Sequence, residues 1–245
     1  DGRSRGRPDV CTHRRNPPMD VVLDNAGDVA LAFTYTLSLF VIAGVLSLVL
    51  GTVLAAMRVG PISVLSKAGA AYVTLVRNTP LLIVIIFFRF AGPKVGLTWS
   101  FVDIRIGDIR LNNIFTACVI GLTVYTAAFV CEALRSGVNA VPLGQAEAAR
   151  AIGLPFTGVL REVVLPQALR ASVPPLASVQ IALLKNTTVC GALGILEAFA
   201  RMKGLTNDNA TARLEIFLAF ALIFVVLVEV LSFVANRLER RWRIA

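Results

Sequence analysis

The sequence predicts an all-α integral membrane protein with five membrane-spanning helices. Of its 245 residues, 56% are apolar and only 16% are charged, and the mean hydropathy is +0.75. A soluble domain is typically about 45–50% apolar and about 25% charged. Long stretches without any charge alternate with short polar segments. Lipid is therefore the expected solvent for most of the chain.

Three of the five predicted spans are almost free of charge. Segments 29–57 and 111–131 contain no charged residue, and segment 216–236 contains only Glu229. A helix needs about 20 apolar residues to cross about 30 Å of hydrocarbon. Each segment is long enough, and together they form the first, third and fifth spans.

The second and fourth predicted spans are interrupted by polar residues and prolines. They cover segments 68–90 and 171–195. The interruptions are Arg77-Asn78-Thr79-Pro80, Arg89, Pro174-Pro175 and Lys185-Asn186-Thr187-Thr188. A proline frees a backbone carbonyl, and lipid cannot hydrogen-bond it, so such a break needs cover from protein or a water-filled cavity. Both spans are therefore expected to face the protein interior.

The basic charge follows a membrane topology rather than a nucleic-acid-binding surface. The net charge is +9, and lysine and arginine accumulate in the inner loops of membrane proteins. If the first span enters from outside, ten basic residues lie inside: Arg58, Lys67, Arg135, Arg150, Arg161, Arg170, Arg237, Arg240, Arg241 and Arg243. Six lie outside after residue 19: Lys94, Arg105, Arg110, Arg201, Lys203 and Arg213. The N-terminus is thus predicted outside and the C-terminus in the cytoplasm.

Residues 1–18 differ from the rest of the chain. They hold five arginines and no apolar run. We expect a non-native or disordered extension there, followed by one membrane domain over residues 19–245. The single histidine, His13, lies in this extension, and no C-x-x-C pair occurs. Neither histidine-based catalysis nor a metal site is expected, and the chain is predicted not to be an enzyme.

Segment 135–170, between the third and fourth spans, is predicted to form two short helices joined by a sharp turn. Residues 145–152 are strong helix formers. Gly153 is placed to adopt the left-handed conformation that ends such a helix. Proline suits a first helical turn, so Pro155 is expected to begin a second helix over 156–165. Pro166 is expected to end or bend it.

The spacing within this segment resembles the EAA loop of ABC importer permeases. The matching residues are Glu147-Ala148-Ala149, Gly153, Val163 and Leu165-Pro166. The stretch 135–145 is similar to the polar amino acid (glutamate/glutamine/histidine-type) branch of that family. So are Arg77-Asn78-Thr79-Pro80-Leu81-Leu82 and Lys185-Asn186-Thr187-Thr188. The resemblance covers residues 20–245.

This resemblance implies the MetI-like fold of type I ABC importers, with a cytoplasmic coupling helix, in a bacterial cell membrane. Glu147 would orient that helix in a groove of an ATPase subunit, Ala148 and Ala149 would permit close approach, and Gly153 would permit the turn. The implied partners are two ATPase subunits carrying ATP and magnesium, a second permease subunit and an extracytoplasmic amino-acid-binding protein. The chain itself lacks a G-x-x-x-x-G-K-[ST] loop, so no cofactor is expected on it.

Charged residues at membrane depth mark the predicted substrate path, because each costs about 2.5–3.5 kcal/mol to insert. The candidates are Arg77, Asn78, Thr79, Pro80, Arg89, Lys185, Asn186 and Thr187. Arg77 and Lys185 would either receive a substrate carboxylate or cap carbonyls that the breaks expose. Arg89 would either admit an acidic side chain or extend to the interface. Glu132 is expected to form an ion pair near Arg135 at the inner surface.

The leading interpretation is a permease subunit for ATP-driven uptake of a polar amino acid, with glutamate as the expected solute. One alternative is the same architecture importing another polar or basic amino acid or an opine. A stand-alone secondary transporter or channel is an alternative of a different class. That class usually carries internal repeats or a pore motif, and neither is evident in the sequence.

Overall fold

The computed structural model describes residues 18–98, 103–106 and 109–242. Residues 1–17 of the predicted extension lie outside the described residues. The helices are α1 (Pro18–Asp24), α2 (Ala26–Val59), α3 (Ser63–Arg77), α4 (Leu81–Ile86), α5 (Asn113–Asn139), α6 (Leu143–Ala151), α7 (Phe156–Gly158), α8 (Leu165–Asn186), α9 (Ala198–Asp208) and α10 (Arg213–Trp242). The strands are β1 (Ile104–Ile106) and β2 (Ile109–Leu111), which pair antiparallel.

Several helices continue in a different helical form. A π-helix at Phe87–Ala91 and a 3-10 helix at Gly92–Val95 extend α4. A π-helix at Val159–Val164 joins α7 to α8, and a 3-10 helix at Thr187–Leu193 follows α8. A further 3-10 turn, Ala210–Ala212, precedes α10. Below, the loop end of the molecule is the end that carries α6, and the hairpin end is the end that carries β1 and β2.

The long apolar helices confirm the predicted all-α membrane class. In the part of the chain that the structure describes, four helical segments are long and apolar enough to cross a membrane: Ala26–Val59, Asn113–Asn139, Phe156–Leu193 and Ala210–Arg240. A bent pair, Ser63–Arg77 with Leu81–Val95, makes a fifth if it is counted as one span. The protein is therefore a multi-pass membrane protein.

The second predicted span is two helices rather than one interrupted helix. α3 and the helix that begins at Leu81 meet at 104°. Pro80 has no N–H and disfavours helical backbone at the residue before it, so the chain turns there. α3 lies across α2 and α5, since the Tyr72 hydroxyl donates to the Val124 carbonyl at 2.8 Å and Gly69 lies against the Arg58 side chain. Segment 68–90 is thus not a straight crossing.

α5 is the centre of the fold. Of its most apolar stretch, 61% is buried, against 22% for the fourth span. α2 runs beside α5 so closely that Gly51 touches Val130, and a Cβ at Gly51 would collide with it. Leu39 and Ile85 join Leu122 of α5 in a fully buried cluster. The remaining helices pack around this α2–α5 pair.

The expectation that the fourth span faces the protein interior is wrong for a single chain. Pro174 and Lys185 are exposed, and α8 continues through Pro174 and Pro175 without a break. A proline removes one backbone donor from a helix. Packing on the other side of α8 preserves the helix despite that loss. Ala168 and Ser172 supply that packing by burying themselves against α5. The change of helix type comes later, at Thr187.

Candidate functional site

The short helix α6 and the turn and helix that follow it present large apolar side chains to solvent at the loop end. Leu143, Ile152 and Phe156 are 79%, 80% and 64% exposed. Glu147 and Ala148 are exposed beside them, whereas Ala149 is buried within the chain. An exposed apolar cluster rimmed by charge is typical of a protein-binding surface. Of the Glu147-Ala148-Ala149 motif, the first two residues therefore lie on the exposed surface and the third packs inward.

Gly153 adopts the left-handed conformation predicted for it. Its φ is +89°, and a Cβ there would meet nothing within 4 Å, so the requirement is conformational rather than steric. The Gly153 N–H bonds the Arg150 carbonyl at 2.9 Å, and the Leu154 N–H bonds the Ala149 carbonyl at 3.2 Å. This pair of bonds is the Schellman motif that closes a helix. The turn between α6 and α7 is fixed by its own backbone.

Pro166 was predicted to end or bend the second helix, and the structure rules out an end. The helix that begins at Phe156 runs on into the fourth span as one element, to Leu193. The Leu165 N–H bonds the Leu160 carbonyl, the wider pattern of a π-helix, immediately before the proline. The wider turn makes room for the ring. As a result, the segment after α6 and the fourth span form one continuous helix.

Glu132 forms the predicted ion pair, but with different partners. Its carboxylate pairs with Arg58 of α2, and it lies 3.7 Å from Nη1 of Arg77 at the end of α3. Arg135 makes no ion pair with it among the described residues. The Arg77 guanidinium also lies 5.6 Å from the centre of the Phe129 ring. Three helices therefore meet at one carboxylate, near the loop end.

The carbonyl that Pro80 leaves free, and those beside it at the end of α3, are bonded without the Arg77 side chain. The Thr79 hydroxyl donates to the Leu75 carbonyl at 2.8 Å. The Thr79 N–H donates to the Val76 carbonyl at 3.2 Å, which is the carbonyl that Pro80 leaves free. Asn78 ends α3 by bonding the Thr74 carbonyl through its N–H. Capping at this break thus rests on Asn78 and Thr79.

Lys185 lies in a different place from Arg77. It lines an apolar cavity of about 430 Å³ between α8, α9 and α10, and Glu229 of the last span lines the same cavity. The aromatic side chains around it are Phe199, Phe217, Phe220 and Phe224. Of its predicted companions, Asn186 is half-buried, and Thr187 is fully buried with its hydroxyl donating to the Leu184 carbonyl at 2.7 Å.

Arg89 lies on the π-helical turn that extends α4. Its Nε is buried and has no hydrogen-bond partner among the described residues. Its guanidinium lies 5.1 Å from the centre of the Phe90 ring. A π-helical turn widens the backbone and is frequent at functional sites. Arg89 is therefore a partly buried cation with no ion pair to the described part of the chain.

Glu197 at the hairpin end was not among the predicted site residues. It is completely buried and caps α9 by accepting from the Phe199 and Ala200 N–H groups at 2.8 and 2.9 Å. Burial raises the pKa of Glu197 to about 7, against the lowering effect of those two bonds. Its carboxylate fits because Gly191 has no side chain. An acidic residue before a helix is the only sequence signal of this cap.

α9 is also tied to α2. The Thr36 hydroxyl accepts from the Ala198 N–H at 3.1 Å. Arg201 pairs with Asp28 and donates to the Asn25 side-chain oxygen at 3.0 Å. Asp28 and Arg201 line a cavity of about 340 Å³ that opens at the hairpin end. Sequence reasoning missed this cluster because its two halves lie more than 160 residues apart along the chain.

Comparison with known proteins identifies close relatives across most of the chain. The family model of the binding-protein-dependent transport system inner membrane component matches residues 47–244. The glutamate transport system permease protein GluC of Corynebacterium efficiens is 43% identical over 80% of this chain and 86% of its own length. The probable glutamine ABC transporter permease protein GlnM of Bacillus subtilis is 34% identical over 91% of this chain and 97% of its own length.

Solved structures share the fold. An amino acid ABC transporter crystallised with histidines superposes with a TM-score of 0.79 at 24% identity, covering 92% of this chain and 99% of that chain. An inward-facing conformation of the MetNI methionine ABC transporter gives a TM-score of 0.69 at 23% identity, covering 90% and 99%. These similarities confirm the predicted MetI-like architecture.

Proposed function

This chain belongs to the family of binding-protein-dependent transport system inner membrane components, and we propose that it is the permease subunit of an ATP-driven glutamate importer. Its relatives establish the coarser statement, an amino-acid permease of an ABC transporter. The observation that carries the proposal is α6 with its exposed Leu143, Ile152 and Phe156 around Glu147. Exposing three large apolar side chains to water is unfavourable, so a protein partner is expected to cover them.

The partner for this surface is an ATPase subunit. α6 would lie in its groove with Glu147 directed at basic or amide groups of the partner, and the Gly153 turn would fix the angle of approach. Two ATPase subunits would serve a pair of permeases and would bind ATP and magnesium. In this arrangement the loop end and the C-terminus lie in the cytoplasm, and the N-terminus lies outside.

A second permease subunit accounts for the poorly buried fourth and fifth spans. Only 22% and 11% of their most apolar stretches are buried within one chain. The exposed face of α8 carries Lys185 and Pro174, which are costly in lipid. A neighbouring subunit, identical or related, would cover that face. An extracytoplasmic amino-acid-binding protein would dock at the hairpin end.

The substrate path is proposed to pass the cavity lined by Lys185 and Glu229. A cation and an anion that share an apolar cavity, neither with an ion-pair partner among the described residues, match the carboxylate and ammonium of an amino acid. Arg89, buried in part and without a hydrogen-bond partner for its Nε, would then favour an acidic side chain such as that of glutamate.

Uptake by the reconstituted complex tests this proposal. The permease would be purified with its ATPase, its second permease subunit and binding protein, placed in liposomes, and given radiolabelled glutamate, glutamine, arginine and histidine. We expect ATP-dependent uptake in which glutamate competes best. Uptake at full rate without nucleotide would instead identify a secondary transporter. An Arg89→Gln variant, compared with Lys94→Gln on the following turn, is expected to lose the preference for glutamate over glutamine about tenfold.

A further inference from the structure

The junction of three helices at Glu132 is a charged cluster that the proposed transport function leaves without a role. Arg58 comes from the last turn of α2, Arg77 is the last residue of α3, and Glu132 lies on α5. Their side chains are 11%, 46% and 31% exposed, in that order. Charged residues on membrane-spanning helices are costly, and they are retained where they pair with one another and serve a function.

The two ion pairs of this junction are unequal. Arg58 contacts the carboxylate directly and is nearly buried, with a further contact of 3.9 Å to the Cys131 sulfur. Arg77 lies 3.7 Å from the other carboxylate oxygen and is about half exposed. The Arg58 contact therefore anchors Glu132 to α2. The Arg77 contact is long and more exposed to solvent, so it is the weaker of the two ion pairs.

Each side of the junction leads to a different functional region. Glu132 lies about two helical turns before the end of α5 at Asn139, and α6 begins shortly afterwards at Leu143. Arg77 directly precedes Asn78-Thr79-Pro80, where the chain turns by 104°. The Glu132 carboxylate therefore links the helix that leads into α6 with the residue that precedes the turn into α4.

We propose that Glu132 is a positioning residue that transmits movement of α6 to the break between α3 and α4, through its contact with Arg77. Arg77 then holds the end of α3 to Glu132 of α5 and makes no contact with the transported solute. The inference rests on the proposed function, because it assigns a route for the movement that ATP would drive. Coupling of this kind needs an element with two arrangements that both sites bias, and the proposal assigns that role to the Arg77–Glu132 contact.

The test compares uptake with ATP hydrolysis in the same liposomes. Arg77→Gln and Glu132→Gln are expected to keep the ATPase subunit bound and hydrolysing ATP. The amount of amino acid carried per ATP should fall at least tenfold in both. Arg77→Lys should recover most of it, and the double variant should be no worse than either single one. Lys67→Gln, an exposed change on the same helix α3, is the matched control.

Three results would overturn the inference. The first is wild-type transport per ATP in Arg77→Gln. The second is a raised half-saturating amino-acid concentration with unchanged maximal uptake and unchanged transport per ATP, which would make Arg77 a solute ligand. The third is a double variant whose losses simply add. If Glu132→Gln fails to assemble, the Arg77→Gln variant alone tests the inference. The Arg77 side chain is about half exposed, so its replacement is expected to leave assembly intact. Absence of ATP-dependent uptake of every tested amino acid by the wild type would instead refute the proposed function.

Discussion

The two short helices that flank the fourth span, α6 and α9, have opposite relationships to the rest of the chain. α6 leaves Leu143, Ile152 and Phe156 exposed and is shaped by a turn within its own sequence. α9 is capped by the adjacent Glu197 and fastened to the distant α2 by Thr36 and the Asp28–Arg201 pair. The difference indicates that α6 awaits a partner, whereas α9 belongs to the internal framework of the hairpin end.

The largest expected effect is the loss of coupling when the α6 turn is changed. Gly153→Ile forces a β-branched residue to a φ of +89°, which costs about 1–3 kcal/mol. A coupling loss of that size lowers ATP-dependent uptake roughly 5- to 150-fold. Gly204→Ile is the control, because Gly204 lies in α9 with open space around it. Equal uptake by the two variants would remove the distinction between the helices.

The pH dependence of the hairpin end should follow Glu197. Burial raises its pKa from 4.5 to about 7, so the folded state holds this proton more tightly than the unfolded state does. Its contribution to stability is therefore complete below about pH 4.5 and is lost as the pH rises through 7. The loss amounts to about 3 kcal/mol at most across that window.

Thermal unfolding of the detergent-solubilised protein between pH 5 and pH 8 would measure this slope. Glu197→Gln, which cannot ionise, is expected to flatten it. A wild-type protein equally stable at both pH values would contradict the assignment. So would a Gln variant that retained the slope.

Removing the cap of α9 should cost less. Glu197→Ala leaves the Phe199 and Ala200 N–H groups without their acceptor, and loss of a helix cap costs about 1–2 kcal/mol. The expected result is a lower unfolding temperature with coupling through α6 unchanged. Transport per ATP and thermal stability, measured on the same preparation, would separate the two effects. A coupling defect without a change in stability would show that α9 takes part in coupling and is not only a structural element.

The smallest effect is expected at the Asp28–Arg201 pair. Asp28 is largely exposed, and exposed ion pairs contribute about 0–1 kcal/mol. Asp28→Asn should therefore lower stability by less than 1 kcal/mol, and by less still at high salt. Denaturation at two salt concentrations measures this. A larger loss would mean that the pair, rather than the buried Ala198–Thr36 hydrogen bond, holds α9 to α2.

The parts of the site that depend on neighbouring residues were predictable from the sequence. Gly153 ends α6 as expected because a Schellman motif involves only five or six consecutive residues. The positions of the long apolar helices followed from their composition. The angle at Asn78-Thr79-Pro80 did not, because Pro80 fixes where the chain turns and packing on α2 and α5 fixes how far.

Partners that are distant along the chain escaped prediction. Arg135 lies one turn after Glu132, yet the structure brings Arg58 to the carboxylate from 74 residues away. Pro166 appeared to end a helix because the sequence does not show that the preceding turn widens into a π-helix. Glu197 directly precedes α9, where capping or pairing is expected of an acidic residue, but its complete burial depends on how Gly191 and α9 pack around it.

Labelling of a cysteine placed in α6 tests the central claim most directly. Cys118, Cys131 and Cys190 are buried, so an Ala148→Cys variant that also carries Cys11→Ser exposes one described thiol to a membrane-impermeant reagent. The account predicts labelling from the cytoplasmic side only, and protection when the ATPase subunit is bound. Labelling from the outside, or labelling that the bound ATPase leaves unchanged, would contradict it.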